Sequence, residues 1–133
     1  GKDSTYNVCM IGLNFRDRGR LYERIDRRVT LMAENGMVEE CKRVYDSEKL
    51  GTACQAIGYK ELIPYFEGTA DLESCLDKIR QSSRRYAKRQ LTWFRRDERI
   101  NWIYLDEIYN FDEFIEICKK IVAKSEILCY NNN

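Results

Sequence analysis

Only two stretches of this chain read as β-strands, and that scarcity decides what it can build. Residues 5–13 (TYNVCMIGL) form the nearly continuous apolar run of a strand buried on both faces, and residues 100–105 (INWIYL) form the other candidate. Two strands do not make a stable sheet by themselves. Either the first pairs with something absent, or it packs against helices as an isolated extended segment. The remainder carries helical period, so the expected fold class is mainly α with one or two short strands. At 133 residues and 44% hydrophobic, the chain is expected to form a single domain over 1–133 with a core of its own. No apolar run approaches the ~18 residues that a membrane span needs. The opening GKDSTYNVC has neither the apolar centre nor the cleavage site of a signal peptide, so a cytoplasmic protein without membrane contact is expected.

The helices announce themselves by their punctuation. Leu21, Tyr22, Ile25, Val29 and Met32 repeat every three to four residues, with Asn14 or Asp17 as N-cap and Gly36 as the stop. Met37, Val38, Cys41, Val44 and Tyr45 line a second helix, joined to the first at Asn35-Gly36. Its first turn holds Glu39 and Glu40, where the helix dipole favours acids. Residues 51–56 read as a loop. A short third helix opens at Gly58, presents Tyr59, Leu62, Ile63 and Phe66, contains Pro64 and closes at Gly68. A long helix starts near Asp71. The last begins at Asn110 with Glu113 three residues on, a capping-box spacing, and places Phe111, Phe114, Ile115, Cys118, Ile121 and Val122 on its apolar side. From Ser125 the chain reads as a fraying tail.

Charge is concentrated on the long helix. Residues 78–99 (KIRQSSRRYAKRQLTWFRRDER) hold nine Lys or Arg against two acids, a local excess of seven. The whole chain carries only +1, so the remainder is acidic by about six charges. At about 100° per residue the apolar side collects Leu72, Cys75, Leu76, Ile79, Tyr86, Ala87, Gln90, Trp93 and Phe94. Lys78, Arg84, Arg85, Lys88, Arg89, Arg95 and Arg96 fall on the other side, over an arc of about 140°. The bland reading is a solvated helix face. Acids that normally alternate along such a face are nearly absent between Lys78 and Arg96, which favours a polyanionic partner.

Several chemistries are excluded or unsupported. The chain has no histidine, which removes the usual zinc sites, Ser-His-Asp and Cys-His catalysis and histidine bases together. Cys9, Cys41, Cys54, Cys75, Cys118 and Cys129 show no paired spacing and read as small core hydrophobes. Gly1-Lys2 is followed by Asp3, so it is no phosphate loop. Glu39/Glu40 and Asp97/Glu98 are explained as helix-end and surface charges. From the residues alone the reading ends at a mostly helical domain with a basic, aromatic-flanked helix suited to phosphate backbones.

Three ordered blocks carry a resemblance. Residues 56–62 (AIGYKEL), 85–95 (RYAKRQLTWFR) and 100–102 (INW), preceded by Arg18, Leu21, Tyr22, Arg24, Ile25, Arg28, Val29, Met32, Gly36, Glu39 and Glu40, resemble the tRNA dimethylallyltransferase (isopentenyltransferase) family over most of the chain. The resemblance implies the helical C-terminal portion of a P-loop NTPase-like α/β enzyme. Such an enzyme moves a dimethylallyl group from dimethylallyl diphosphate to the exocyclic amine of the adenosine 3′ of the anticodon. It implies that the phosphate loop and the catalytic aspartate lie before Gly1, so that no catalytic residue falls in this chain. The chain would then be inactive alone and would contribute tRNA binding. Magnesium is implied for the full-length enzyme, with no site here. By motif position Arg18 matches a residue approaching the donor's diphosphate. Gln55, Ala56, Ile57, Gly58, Tyr59 and Lys60 match one tRNA-contact stretch; Arg85 and the run Lys88, Arg89, Gln90, Leu91, Thr92 and Arg95 match the other. Trp93 and Phe94 are expected in the core. The implied partners are a tRNA anticodon stem-loop and the allyl donor, with the protein a monomer. A free-standing RNA-binding helical module and a purely structural helical domain remain the alternatives.

Overall fold

The structure, a computed structural model, describes residues 8–47 and 58–131, with side chains through residue 126. The order is β1 (Met10–Asn14), α1 (Arg18–Glu34), α2 (Met37–Ser47), α3 (Tyr59–Phe66), α4 (Leu72–Phe94), β2 (Ile100–Tyr104), one 3-10 turn (Leu105–Glu107) and α5 (Phe111–Asn131). The chain is therefore mainly helical with two short strands, the expected class. It divides into two compact units, Tyr22–Gln90 and Gly1–Leu21 with Leu91–Asn133.

In the helical unit, Gly36 ends α1 at φ 106° and lets α2 start one residue later, so the two form the hairpin expected at Asn35-Gly36. Pro64 removes one backbone donor inside α3, and the exit is closed by the Thr69 backbone N–H donating to the Pro64 carbonyl at 2.9 Å. Asp71 caps α4, its carboxylate accepting the Ser74 backbone N–H at 2.7 Å. The core gathers Val29, Met37, Cys41, Tyr59, Leu62, Cys75, Leu76 and Ile79 from all four helices. Cys41 and Cys75 serve there as small hydrophobes, and burial pushes the Cys41 thiol up, keeping it protonated. Cys9 and Cys118 are half-buried free thiols; Cys54 and the Cys129 side chain lie outside what is described.

In the other unit, β1 pairs with β2 in parallel, Met10 opposite Ile100 and Gly12 opposite Trp102. The two candidate strands have found each other. A side chain at Gly12 would meet Ile100 Cγ2 and the Trp102 ring at 2.7 Å, so this strand position requires glycine. Residues 5–7, the start of the expected strand, lie outside the described residues; the observed strand runs on to Asn14. That resolves the choice of N-cap for α1. Asn14 is buried in the strand, whereas the Asp17 carboxylate accepts the Gly19 backbone N–H at 2.8 Å. Asn110 caps α5 by accepting the Glu113 backbone N–H at 2.9 Å, and Glu113 reaches back to the backbone N–H of Tyr109.

Two expectations are corrected. α5 continues to Asn131 instead of fraying from Ser125, because no glycine or proline interrupts the helix formers around Lys124 and Glu126. The apolar side of α4 is not core along its length: Cys75, Leu76 and Ile79 are buried, but Tyr86 is 58%, Trp93 69% and Phe94 42% exposed, and Gln90 is exposed too. Periodicity identifies residues that share a face. It does not supply the neighbour that would cover them.

Candidate nucleic-acid interface

α4 carries 23 residues without a break, and its cations divide into two groups by what holds them. Arg80 and Arg84 are tied down. Arg84 Nη1 donates to both carboxylate oxygens of Asp26 on α1, at 2.7 and 2.8 Å, with its guanidinium 6.0 Å from the Tyr22 ring centre. Arg80 Nη2 donates to Thr30 Oγ1 at 2.9 Å, and its Nη1 bonds Glu73 and Asp77 at 2.7 and 2.6 Å. Placing Arg84 on the open basic side is thus a third expectation corrected: its acid comes from another helix, 58 residues away. Scarcity of acids within one helix does not leave every cation on it unpaired.

The others stay open to solvent. Lys78, Arg85, Lys88, Arg89, Arg95 and Arg96 are exposed, and no described acid lies within ion-pair distance of Lys78, Arg85, Arg89, Arg95 or Arg96. Arg99, just beyond, is neutralised by Asp97, whose carboxyl that arginine pulls down to about 2. Exposed cations crowded in this way repel one another and gain by neutralising phosphates, which releases the counterions condensed on a nucleic acid.

Of the expected tRNA contacts, Gln55, Ala56 and Ile57 lie outside the described residues. Gly58 is buried at φ 93°, with Met37 Sδ 3.1 Å and Ile79 Cδ1 3.2 Å from where a Cβ would stand. Tyr59 is a core residue at 6% exposure, so its ring packs in the protein. Lys60 is exposed on the first turn of α3. On α4, Arg85, Lys88, Arg89, Gln90 and Thr92 are exposed and Leu91 is half-buried; Arg95 follows the helix end and is exposed.

Arg18 belongs to the sheet-bearing unit, as the first residue of α1. It is half-buried, and the turn beneath it is held from far along the chain. The Asp106 carboxylate accepts the backbone N–H groups of Arg16 and Asp17, each at 2.9 Å. Those two bonds, the Asp17 one foremost, hold the Asp106 carboxyl below its usual range. Arg16 donates to Glu107 at 2.7 Å, and its guanidinium sits 3.6 Å from the Tyr104 ring centre. Asp106 and Glu107 were not anticipated from the sequence. The available signal was topological: Arg16 to Arg18 and Asp106 each follow the carboxyl end of a parallel strand, where open α/β sheets collect ligands.

Among the described residues no group of three or more Asp, Glu, Cys or His side chains could hold a metal ion. No helix among them is long and apolar enough to cross a membrane.

Comparison with known proteins adds to this geometry. A family model described as IPP transferase matches residues 1–97. A tRNA dimethylallyltransferase of Thermoanaerobacter sp. (strain X514) is 47% identical over 123 residues, 89% of this chain and 38% of that protein. One from Streptococcus agalactiae serotype Ia is 50% identical over 105 residues, 79% of this chain and 35% of that protein. The full-length tRNA isopentenylpyrophosphate transferase of Bacillus halodurans, a crystal structure, is similar at a TM-score of 0.82 and 42% identity, over 97% of this chain and 43% of that one. The chain thus spans little more than a third of the length of the curated relatives it matches.

Proposed function

The chain belongs to the IPP transferase family, and we propose that it works in tRNA prenylation as the RNA-gripping portion of a longer, cytoplasmic transferase. The observation that carries the reading is the exposed α4 row Arg85, Lys88 and Arg89, with no acid on Arg85 or Arg89, in a chain whose relatives are tRNA dimethylallyltransferases. The cations meet phosphates of an anticodon stem-loop and hold it in register, a role that needs charge and position rather than base reading. The target adenosine, 3′ of the anticodon, leaves its stack so that its exocyclic amine can reach the allyl donor.

In the reaction, the amine nitrogen attacks the first carbon of dimethylallyl diphosphate. A carbon–nitrogen bond forms, the carbon–oxygen bond breaks, and diphosphate leaves with the electron pair while the amine gives up a proton. Arg18 is assigned to the departing diphosphate, whose charge grows as the bond breaks and which a guanidinium stabilises increasingly along that path. Asp106 and Glu107 hold the turn from which Arg18 projects. The proton acceptor and the magnesium ligands are assigned to the portion of the relatives that this chain does not span. This chain by itself is accordingly assigned no turnover.

Fluorescence anisotropy with an unmodified anticodon stem-loop at low salt tests the reading, with a blunt duplex of the same stem as comparison. Binding of the stem-loop in preference to the duplex is expected. A folded chain that binds neither would reduce the α4 row to a solvated helix face and overturn the proposal.

A further inference from the structure

The two tethered arginines of α4 differ in kind from the open ones. At about 100° per residue Arg80 and Arg84 lie ~40° apart on one side of α4, and their partners Thr30 and Asp26 are one turn apart on α1. Residue 84 meets 26 and residue 80 meets 30, so the helices run antiparallel here and are joined at two successive turns. Toward its N-terminal end α4 is seated by Cys75, Leu76 and Ile79 in the core; beyond Ile79 a single attachment would restrain its roll weakly. Two in line fix the roll. Arg85 and Arg89 follow ~100° and ~140° round from Arg84, on the side turned away from α1. Both anchors are well covered for arginines, with side chains 33% exposed at Arg84 and 13% at Arg80.

We propose that Arg80 and Arg84 are positioning residues, not RNA ligands: by clamping α4 to Asp26 and Thr30 of α1 they set the rotation that presents Arg85 and Arg89 to an RNA phosphate backbone. This deepens the RNA-binding reading and rests on it. An Arg84 charge already neutralised by Asp26 releases no counterions on binding, so it adds nothing to the salt dependence of RNA affinity. Arg80, with Glu73 and Asp77 on one nitrogen, is in the same state. The net effect is that a helix carrying the open cations Lys78, Arg85 and Arg89 is held by two arginines that carry no free charge.

Asp26→Asn separates the two roles by sign. If Arg84 were a ligand, removing the Asp26 charge would release it, and RNA binding would tighten with a steeper salt dependence. As a positioning pair, the same near-isosteric change loosens α4, and affinity for an anticodon stem-loop falls several-fold at unchanged slope. Arg84→Gln behaves like Asp26→Asn, whereas Arg85→Gln or Arg89→Gln lowers the slope by ~0.7 to 0.9, the value of one phosphate contact. The exchanged pair, Asp26→Arg with Arg84→Asp, recovers both affinity and melting temperature. Tighter binding by Asp26→Asn, or a shallower slope in Arg84→Gln, overturns the proposal. Thermal unfolding decides the clamp independently of RNA: the Asp26→Asn, Arg84→Gln double variant is expected to lose less than the two single losses together, and strict additivity refutes the clamp. Failure of the wild-type chain to bind the stem-loop would instead count against the function proposed above.

Discussion

Replacing Gly58 by alanine distinguishes a glycine needed for folding from one needed for close approach of RNA. The residue precedes α3 at φ 93°, where its carbonyl accepts the Leu62 backbone N–H at 3.0 Å. An L-residue held in that left-handed region costs about 1–2 kcal/mol relative to glycine. The new methyl also meets Met37 Sδ at 3.1 Å and Ile79 Cδ1 at 3.2 Å. Both are the ends of flexible side chains and can retreat, so the crowding is placed at the low end of overpacking, about 1 kcal/mol. The sum is about 2–3 kcal/mol, a shift in melting temperature on the order of 10 °C for a chain of this size. Far-UV circular dichroism on heating measures it. Below the transition the variant, still folded, is expected to bind stem-loop RNA like wild type, because Gly58 is buried. A variant that melts within about 0.5 kcal/mol of wild type contradicts the packing argument. One that melts normally and loses RNA binding assigns the glycine to the RNA.

Two further outcomes follow from the sheet-bearing unit. Asp106 and Asp97 have carboxyls held low by the Arg16 and Asp17 backbone N–H groups and by Arg99 respectively, Asp97 at about 2. Both stabilise the fold fully above the unfolded carboxylate value of about 3.9, and the contribution disappears as pH falls through their lower folded values. Denaturation followed from pH 6 to pH 2 is expected to show stability falling below about pH 4, with a smaller fall in Asp106→Asn; an identical fall in that variant would remove Asp106 from the account. Gly12→Val places carbon within 2.7 Å of Ile100 Cγ2 and of the Trp102 ring, so the strand pair must open or tilt. A loss of about 1–3 kcal/mol with altered Trp102 fluorescence is expected, and a variant with unchanged emission and stability would refute the close packing.

What the sequence made legible was local. The start of α4 near Asp71, the Asn110 capping box, the Asn35-Gly36 turn and the apolar faces of α1 to α3 follow from residues a few positions apart, and the structure has them. What it concealed depends on partners distant along the chain. Asp26 and Arg84 are 58 residues apart, and Asp106 reaches back some 90 residues to the start of α1. Neither pairing leaves a trace in periodicity or composition. Tyr86, Trp93 and Phe94 failed for a related reason: their spacing on α4 is that of a core face, yet the described residues leave them exposed. Of the candidate site, the open cations of α4 were legible as charge without compensating acid, while the division between clamp and open row required coordinates.

The most direct test of the central claim, that the open face of α4 grips RNA, is the salt dependence of anticodon stem-loop binding by wild type and by the Lys88→Glu, Arg89→Glu double variant. The account predicts wild-type affinity falling steeply with salt, and a folded variant whose binding is lost or reduced to a shallow residual slope. Equal affinity and equal slope for the two folded proteins would contradict it.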